Sequence, residues 1–197
     1  MFVPTVIEKK GKNERAYDLF SRLLEDRVVF IMGEFDQGLA NSVVAQLLWL
    51  EAQDADEPIN MYVNSPGGGI DAMMAIFDTM TYVKCPVVTI GFGTVASAAS
   101  FIVAAGEPGS RYALPNTNFM IHELSTGSSG KFTDIHTYHA HVEKLHDKLN
   151  NYYIQFTGQK KKKLLEDMKV DCYMSAEEAK NYGTKGLIDE VQEKSMR

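Results

Sequence analysis

The segment VVTIGFGTVASAAS, from Val87 to Ser100, begins with β-branched residues, passes through two glycines and ends in small helix-forming residues. This pattern predicts a strand, a tight glycine turn and a helix, the unit from which α/β folds are built. Gly91, Gly93 and Ala96 also match G-x-G-x-x-G/A, the phosphate-binding turn of dinucleotide-binding folds. Ser97, however, stands at the start of the predicted helix, where a nucleophile could lie. The segment therefore raises two hypotheses, a cofactor turn and a reactive serine.

Strands and helices alternate along the rest of the chain. Strands are predicted for VVFIMG, INMYVNS, RYAL and NFMIHEL. Helices are predicted for Glu14–Arg27, Ala40–Gln53, Asp71–Val83, Thr133–Phe156 and Lys161–Met168, and Ser175 with Glu178 predicts a capping box for one more. This order predicts a single α/β domain over residues 1–197. The Thr133–Phe156 helix is long for a small α/β core, and we expect it to pack against a neighbouring subunit.

The composition is that of a globular protein with an acidic balance. The 197 residues carry a net charge of −6 and include two cysteines, Cys85 and Cys172. Because phosphate binding needs clustered Lys and Arg, this balance argues against nucleic acid as a partner. Few cysteines and no apolar signal segment near the start predict a cytoplasmic protein. The uncharged stretch from Cys85 to Gly106 contains Pro86 and glycines, which favours a buried strand–turn–helix over a membrane span.

Neither a cofactor site nor a metal site is favoured by the residues. A dinucleotide site needs an acidic residue about 20 residues beyond the glycine turn, and Glu107 follows too soon. No HExxH motif is present, because His122-Glu123 is followed by Leu-Ser-Thr. We expect the histidines of HTYHAHVEKLH to be exposed beside the apolar stripe of the long helix rather than to bind a metal. They are His136, His139, His141 and His146.

A reactive serine needs a base to take its proton and donors to receive the developing oxyanion. Ser97 lies at a predicted helix N-terminus, where free N–H groups and the helix dipole favour negative charge. The alternative is that Ser97 only caps the helix. His122 is the histidine placed in an apolar strand, NFMIHEL, and is a candidate base or, alternatively, a hydrogen-bonded core residue. The residues alone do not select an orienting carboxylate.

Four motifs together resemble one family. NSPGG (Asn64–Gly68), the turn around Ser97, FMIH (Phe119–His122) and D-x-x-x-SAxEA beginning at Asp171 are similar to the motif series of the Clp protease proteolytic subunit, ClpP. The similarity covers essentially the whole chain. It implies that Ser97 is the nucleophile, that His122 is the general base and then acid, and that Asp171 orients His122. It also implies an oxyanion hole formed by the backbone N–H groups of Gly68 and Ala98. The implied fold is a crotonase-like ββα superhelix with a protruding handle helix and strand.

The same resemblance implies an assembly and partners. Family members form two stacked seven-subunit rings, and an AAA+ unfoldase ATPase feeds unfolded polypeptide into the chamber. Residues 1–17 would border the axial pore, about residues 123–157 would form the handle, and the segment after His122 would be an edge to which a peptide adds as a strand. The apolar cleft that receives the ATPase would include Tyr62, Tyr82, Tyr112 and Val191.

Several positions depart from the family pattern. Glu123, Leu124, Thr126 and Gly127 stand where a Gln-Pro pair and a Gly-Gly are usual. Val170 replaces an arginine that forms an ion pair between rings, and Asn60 replaces an aromatic residue of the docking cleft. These two changes predict weaker ring stacking and docking, unless apolar packing replaces the ion pair. Thr184-Lys185 resembles a short insertion.

Two other functions remain as alternatives. A catalytically silent ring subunit would serve an active paralogue, but the complete Ser-His-Asp set argues against it. A crotonase-type acyl-CoA enzyme would use the same fold with Gly68 binding a thioester oxyanion. Such enzymes commonly use carboxylates, so the same set argues against this function as well. The sequence therefore predicts a serine endopeptidase without a cofactor.

Overall fold

The computed structural model describes residues 3–10 and 13–194, so residues 1, 2, 11 and 12 of the expected pore segment lie outside the described residues. The strands are β1 (Thr5–Lys10), β2 (Asn13–Asp18), β3 (Val28–Met32), β4 (Ile59–Ser65), β5 (Val87–Ala96), β6 (Arg111–Ala113), β7 (Asn118–Ile121), β8 (Cys172–Ser175) and β9 (Glu190–Val191). The helices are α1 (Leu19–Glu25), α2 (Gln37–Gln53), α3 (Ile70–Tyr82), α4 (Ala98–Ala104), α5 (Phe132–Thr157), α6 (Lys161–Asp167) and α7 (Ala176–Lys180).

The fold is organised around a mostly parallel sheet. The strand order is β3-β4-β5-β6-β9, with β7 joined to the end of β5 and β8 joined to β7. Every pairing in this sheet is parallel except β7–β8. Alternate residues of β4, namely Ile59, Met61 and Val63, are buried in one apolar core with residues of α2, α3 and α4. Parallel strands need crossover connections, which the helices provide. The predicted α/β class is confirmed.

β5 is longer than predicted, because its glycines do not end it. The strand continues through Gly91 and Gly93 to Ala96, with a shift in its register to β4. Gly93 has a φ of 63°, and the following amide donates to the Asn64 side chain at 3.0 Å. The glycines therefore form an irregularity inside a strand, and the sharp turn occurs at Ser97. The predicted glycine turn is wrong, and these glycines do not occupy the strand-to-helix turn that a dinucleotide site requires.

The predicted helix Glu14–Arg27 is wrong in its first part. Residues up to Asp18 form β2, which pairs antiparallel with β1 so that Thr5 lies opposite Asp18. Helix α1 begins only after Asp18, whose side chain accepts the Ser21 N–H at 3.0 Å and caps the helix. The segment Ala16–Leu24 fits a helical stripe, but the partner strand β1, earlier in the chain, determines its conformation.

Helix α5 confirms the long helix predicted for Thr133–Phe156. Its second half is anchored in the core by Leu149 and Tyr153, whereas its first turns are exposed, with 83% of Phe132 accessible. The helix ends at Gly158, which adopts a left-handed φ of 65°. The amides of Thr184 and Lys185 both donate to the Thr157 carbonyl, at 2.9 and 2.8 Å. These two residues therefore cap the end of α5.

Arg111 at the start of β6 joins several elements around one buried ion pair. Its guanidinium contacts both carboxylate oxygens of Asp189, at 2.6 and 3.0 Å. The same group donates to backbone carbonyls at the ends of α4 and α5 and before β9. Only 4% of Arg111 is exposed. Burial raises the pKa of Asp189. Its hydrogen bonds with Arg111 lower the pKa by a larger amount, so the net pKa lies below the ordinary value.

Two local predictions are confirmed. The Ser175 side chain and Glu178 form a reciprocal capping box that begins α7. The uncharged stretch from Cys85 to Gly106 forms β5 and α4, both with mostly buried side chains. In the described part of the chain, no helix combines the length and apolar character needed to cross a membrane.

Candidate active site

Three strand ends meet at one edge of the sheet and bring the candidate residues together. β5 pairs with β7 so that Ala96 lies beside Met120, and β7 pairs with β8 so that Ile121 lies opposite Cys172. Ser97 and His122 follow the ends of β5 and β7, and Asp171 precedes β8. Because β7 and β8 are antiparallel, the register that pairs Ile121 with Cys172 also places His122 opposite Asp171. The sheet register therefore gathers residues that are far apart in sequence.

The side chains of these residues form a linear arrangement. His122 Nε2 lies 2.8 Å from Ser97 Oγ, and His122 Nδ1 lies 3.6 Å from Asp171 Oδ1. If the Ser97 hydroxyl donates to Nε2, the imidazole proton is on Nδ1 and points towards the carboxylate. The His122 side chain is 28% exposed and that of Asp171 54%. The contact between His122 and Asp171 is longer than a hydrogen bond, so His122 is held less tightly by Asp171 than by Ser97.

Ser97 has an unusual backbone conformation. Its φ is 55° and its ψ is −119°, a combination that non-glycine residues rarely adopt. The Ser97 N–H donates to the Met120 carbonyl at 2.9 Å, which ties the turn to β7. In the described chain the Ser97 side chain makes no capping hydrogen bond to α4 and instead contacts His122. The sharp turn thus directs the hydroxyl towards the imidazole and not along the helix.

Gly67 allows the NSPGG loop to approach this turn. A Cβ atom on Gly67 would lie 2.6 Å from Ser97 Cβ and 2.8 Å from the Ala96 carbonyl oxygen. Its φ is 99°, in a region that L side chains rarely adopt. Ser65 Oγ accepts the Gly67 N–H at 3.0 Å and holds the loop in this position. Glycine is therefore required here for both conformation and space.

If Ser97 hydrolyses peptides, as the resemblance implies, Gly67→Ala should lower kcat by ~10²-fold, because the clash displaces Ser97 from His122. Gly33→Ala is the matched control, since Gly33 has a φ of 86° but an added Cβ would meet no atom within 4 Å. The control should lose some stability through backbone strain and keep its kcat. Peptide hydrolysis and urea unfolding of both variants measure the two effects. Equal activity of Gly67→Ala and Gly33→Ala would contradict the steric argument.

Gly68 and Ala98, the predicted oxyanion donors, both line the cavity beside Ser97. The Gly68 backbone runs alongside Phe35, and a Cβ on Gly68 would lie 2.5 Å from the Phe35 nitrogen. Ala98 is the first residue of α4, so its N–H has no acceptor within the helix. The two backbone segments therefore border the same cavity as Ser97.

The cavity has a volume of about 310 Å³ and is mostly apolar. Its apolar lining includes Ile70, Met73, Phe101, Leu149 and Met168. The sequence interpretation missed the contribution of α5, which adds Leu149, Asn150, Tyr153 and His146 to the lining. Their helical spacing of three and four residues was the available signal.

The predicted exposure of the α5 histidines is correct for three of them. His136, His139 and His141 are exposed, but the expectation is wrong for His146, which is half-buried against the cavity. The His146 ring lies 3.2 Å from the Asn150 amide nitrogen, one helical turn away. His139 lies 3.5 Å from Glu143, with both side chains exposed. The described residues include no group of three or more His, Cys, Asp or Glu side chains arranged to hold a metal ion.

Three of the residues predicted for a docking cleft lie on strands of the sheet, and Tyr82 lies at the end of a helix. Tyr62 on β4 and Tyr112 on β6 both align with Ile90 of the intervening strand, and Val191 is on β9. Tyr82 at the end of α3 is 76% exposed. The sequence interpretation missed two aromatic neighbours on this surface. Phe30 stacks on Tyr62 with ring centres 5.6 Å apart, and Phe92 contacts the same tyrosine edge-on.

Comparison with models of known protein families gives one finding for this chain. Residues 11–195 match the family described as Clp protease. The match includes the three strand ends, the NSPGG loop and helix α5, and so covers every element of the site.

Proposed function

The chain belongs to the Clp protease family and is a peptidase, and from this premise we propose that it is a serine endopeptidase subunit with Ser97, His122 and Asp171 as its catalytic residues. The observation that carries the proposal is the 2.8 Å contact between Ser97 Oγ and His122 Nε2, with Asp171 on the opposite side of the imidazole. In this arrangement a nucleophile is hydrogen-bonded to a base, and a carboxylate orients that base. Serine hydrolases use the same arrangement for acyl transfer.

The proposed reaction has two halves. Ser97 Oγ attacks the peptide carbonyl while His122 Nε2 takes its proton, and the carbonyl oxygen becomes an oxyanion held by the N–H groups of Gly68 and Ala98. The C–N bond then breaks as His122 returns the proton to the leaving amine, which gives an acyl-enzyme. Water attacks this ester with His122 again as base, and Ser97 is regenerated. The Asp171 carboxylate stabilises the imidazolium that forms on His122.

We propose that the working form is a double ring of seven subunits each, with helix α5 at the ring–ring contact. Apolar side chains at the beginning of α5 support this proposal, because Phe132, Ile135 and Tyr138 are exposed in the single chain. Val170 and Tyr173, beside Asp171, are also exposed. An apolar contact at Val170 would take the place of the inter-ring ion pair that the resemblance implies.

We propose unfolded polypeptide as the substrate and an AAA+ ATPase as the partner that delivers it. The aromatic cluster of Phe30, Tyr62 and Phe92 supports docking of an apolar segment from that partner. The resemblance assigns Tyr112, Val191 and the exposed Tyr82 to the same docking surface. Asn60 makes the edge of this surface more polar. The segment after β7 supports binding of an extended peptide, because residues 123–130 pair with no strand in the described chain and leave their backbone groups open to one. The start of this segment is held by the Glu123 N–H, which donates to the Met168 carbonyl.

The proposal predicts that the purified protein cleaves short peptides with an apolar residue before the scissile bond but leaves a stable folded protein intact. The apolar cavity accounts for the first result, and the enclosed chamber for the second. A fluorophosphonate should stop peptide cleavage and label Ser97, as identified by mass spectrometry. A chemically unfolded form of that folded substrate protein is the matched control and should be cleaved. Cleavage that continues after complete labelling of Ser97 would refute the serine mechanism.

A further inference from the structure

The Ser97 carbonyl oxygen has side-chain contacts in addition to its helical hydrogen bond. The Phe101 N–H donates to it at 3.2 Å, as expected for the first turn of α4. The Ser100 hydroxyl also donates to it at 2.7 Å, and the Tyr153 hydroxyl lies 3.4 Å away. A regular helix supplies only the Phe101 N–H bond, so the contacts with the Ser100 and Tyr153 side chains are additional. The peptide unit after Ser97 is therefore held from α4 and from α5.

The two side chains form an ordered chain of donors. Ser100 uses its single proton for the Ser97 carbonyl, so the 2.9 Å contact between Ser100 Oγ and Tyr153 Oη is donated by Tyr153. Ser100 is fully buried and Tyr153 is buried with its ring against Phe101. Burial raises the pKa of Tyr153, an effect that the hydrogen bond with Ser100 only partly opposes. The phenol therefore stays protonated and keeps donating across the working pH range.

Fixing the Ser97 carbonyl also fixes the N–H of Ala98. The two groups belong to one planar trans peptide unit and point in opposite directions. Because this carbonyl accepts from Ser100 and Phe101 of α4, the Ala98 N–H points the opposite way, out of the N-terminal end of that helix, and Ala98 is one of the residues that line the cavity. Ser97 itself is in a disfavoured conformation, with a φ of 55°, that persists only when its surroundings hold it.

We propose that Tyr153 and Ser100 are positioning residues that hold the peptide unit between Ser97 and Ala98 in its reactive orientation. This inference rests on the proposed serine mechanism. Neither side chain touches the reacting atoms; Ser100 acts through the Ser97 carbonyl, and Tyr153 acts through the Ser100 hydroxyl to which it donates. Their loss should weaken stabilisation of the transition state while leaving the binding of substrate unchanged.

Tyr153→Phe tests the inference, with Tyr152→Phe as the matched control. Tyr152 is the preceding residue of α5, its ring packs on Phe77 and Phe156, and its hydroxyl makes no hydrogen bond within the described residues. We expect Tyr153→Phe to lower kcat about tenfold with KM unchanged, less than the ~10²–10³-fold loss on removing a direct oxyanion donor. Binding of a peptide boronate, which mimics the tetrahedral intermediate, should weaken by a similar factor. Tyr152→Phe should retain both values.

The possible outcomes separate this inference from the mechanism on which it rests. If Tyr153→Phe keeps the kcat and boronate affinity of the unchanged protein, the positioning role is refuted while Ser97 chemistry stands. If both tyrosine variants lose activity in proportion to a fall in their unfolding midpoints, the hydroxyl is only structural and the inference also fails. Ser100→Ala, which removes the shorter bond to Ser97, should repeat the kcat loss with unchanged KM. Failure of fluorophosphonate to label Ser97 in the unchanged protein would instead refute the mechanism.

Discussion

Replacing Ser97 with alanine is expected to abolish peptide hydrolysis, with kcat reduced by ~10⁴-fold or more. The substitution removes the hydroxyl that lies 2.8 Å from His122 Nε2, and with it the oxygen atom proposed to form the acyl-enzyme. Ser97 is half-buried at the cavity and one oxygen atom is lost, so the folded structure and the assembly should persist. Steady-state hydrolysis of a fluorogenic peptide, with sedimentation to verify the assembly, measures both effects.

Ser110→Ala is the matched control for Ser97→Ala. Ser110 is a half-buried serine outside the cavity and outside the proposed peptide-binding segment, and its hydroxyl has no hydrogen-bond partner among the described residues. Its loss should leave hydrolysis and fluorophosphonate labelling within about twofold of the unchanged protein, a difference below ~0.5 kcal/mol in the barrier. Residual activity above a tenth in Ser97→Ala would overturn the assignment of the nucleophile.

Asp189→Asn is expected to destabilise the fold by about 3–5 kcal/mol at neutral pH. The substitution keeps the side-chain volume but leaves the Arg111 guanidinium buried without its counter-ion. Arg111 also bonds the carbonyls that end α4 and α5, so strain at this position spreads to both helices. Equilibrium unfolding in urea at a fixed protein concentration measures the loss.

The effect of Asp189→Asn should depend on pH in a defined direction. The folded-state pKa of Asp189 lies below its ordinary value of 3.8, so the ion pair stabilises the fold fully above that value. The contribution is lost as the pH falls from 3.8 through the folded-state pKa. The unfolding free energies of the unchanged protein and of Asp189→Asn should then converge. Glu14→Gln is the control, because the Lys9–Glu14 pair is exposed and should contribute only about 0–1 kcal/mol. Equal losses in the two variants would show that burial of Arg111 has no energetic consequence.

The sequence predicted the elements of the sheet better than it predicted the connections between them. The strand INMYVNS is predicted with the bounds that β4 has, because alternate burial against helices leaves a strong local pattern. The segment Glu14–Asp18 was mispredicted as helix, because its conformation depends on β1, which the local pattern does not include. The glycines of β5 were taken for a turn, although their irregularity is set by the register with β4.

Some residues of the candidate site can be predicted from the local sequence, whereas others depend on contacts between segments that are far apart in the chain. Ser97 and His122 could be selected from their positions in a turn and an apolar strand, but Asp171 was available only through resemblance to a family. The reason is physical, since the antiparallel register of β7 and β8 brings Asp171 to His122. The contributions of His146, Asn150 and Tyr153 were missed because helix periodicity identifies a face of α5 but not the cavity that this face meets.

The pairing of β7 with β8 also has a consequence during synthesis of the protein. Asp171 follows His122 by roughly 50 residues, which a ribosome adds over several seconds at ~5–20 residues per second. A growing chain therefore contains the serine and the histidine before the carboxylate that orients the imidazole. β8 can join the sheet only after α5 and α6 have been made, since both precede it in the chain. The order of translation thus delays assembly of the proposed proteolytic centre until most of the chain has left the ribosome.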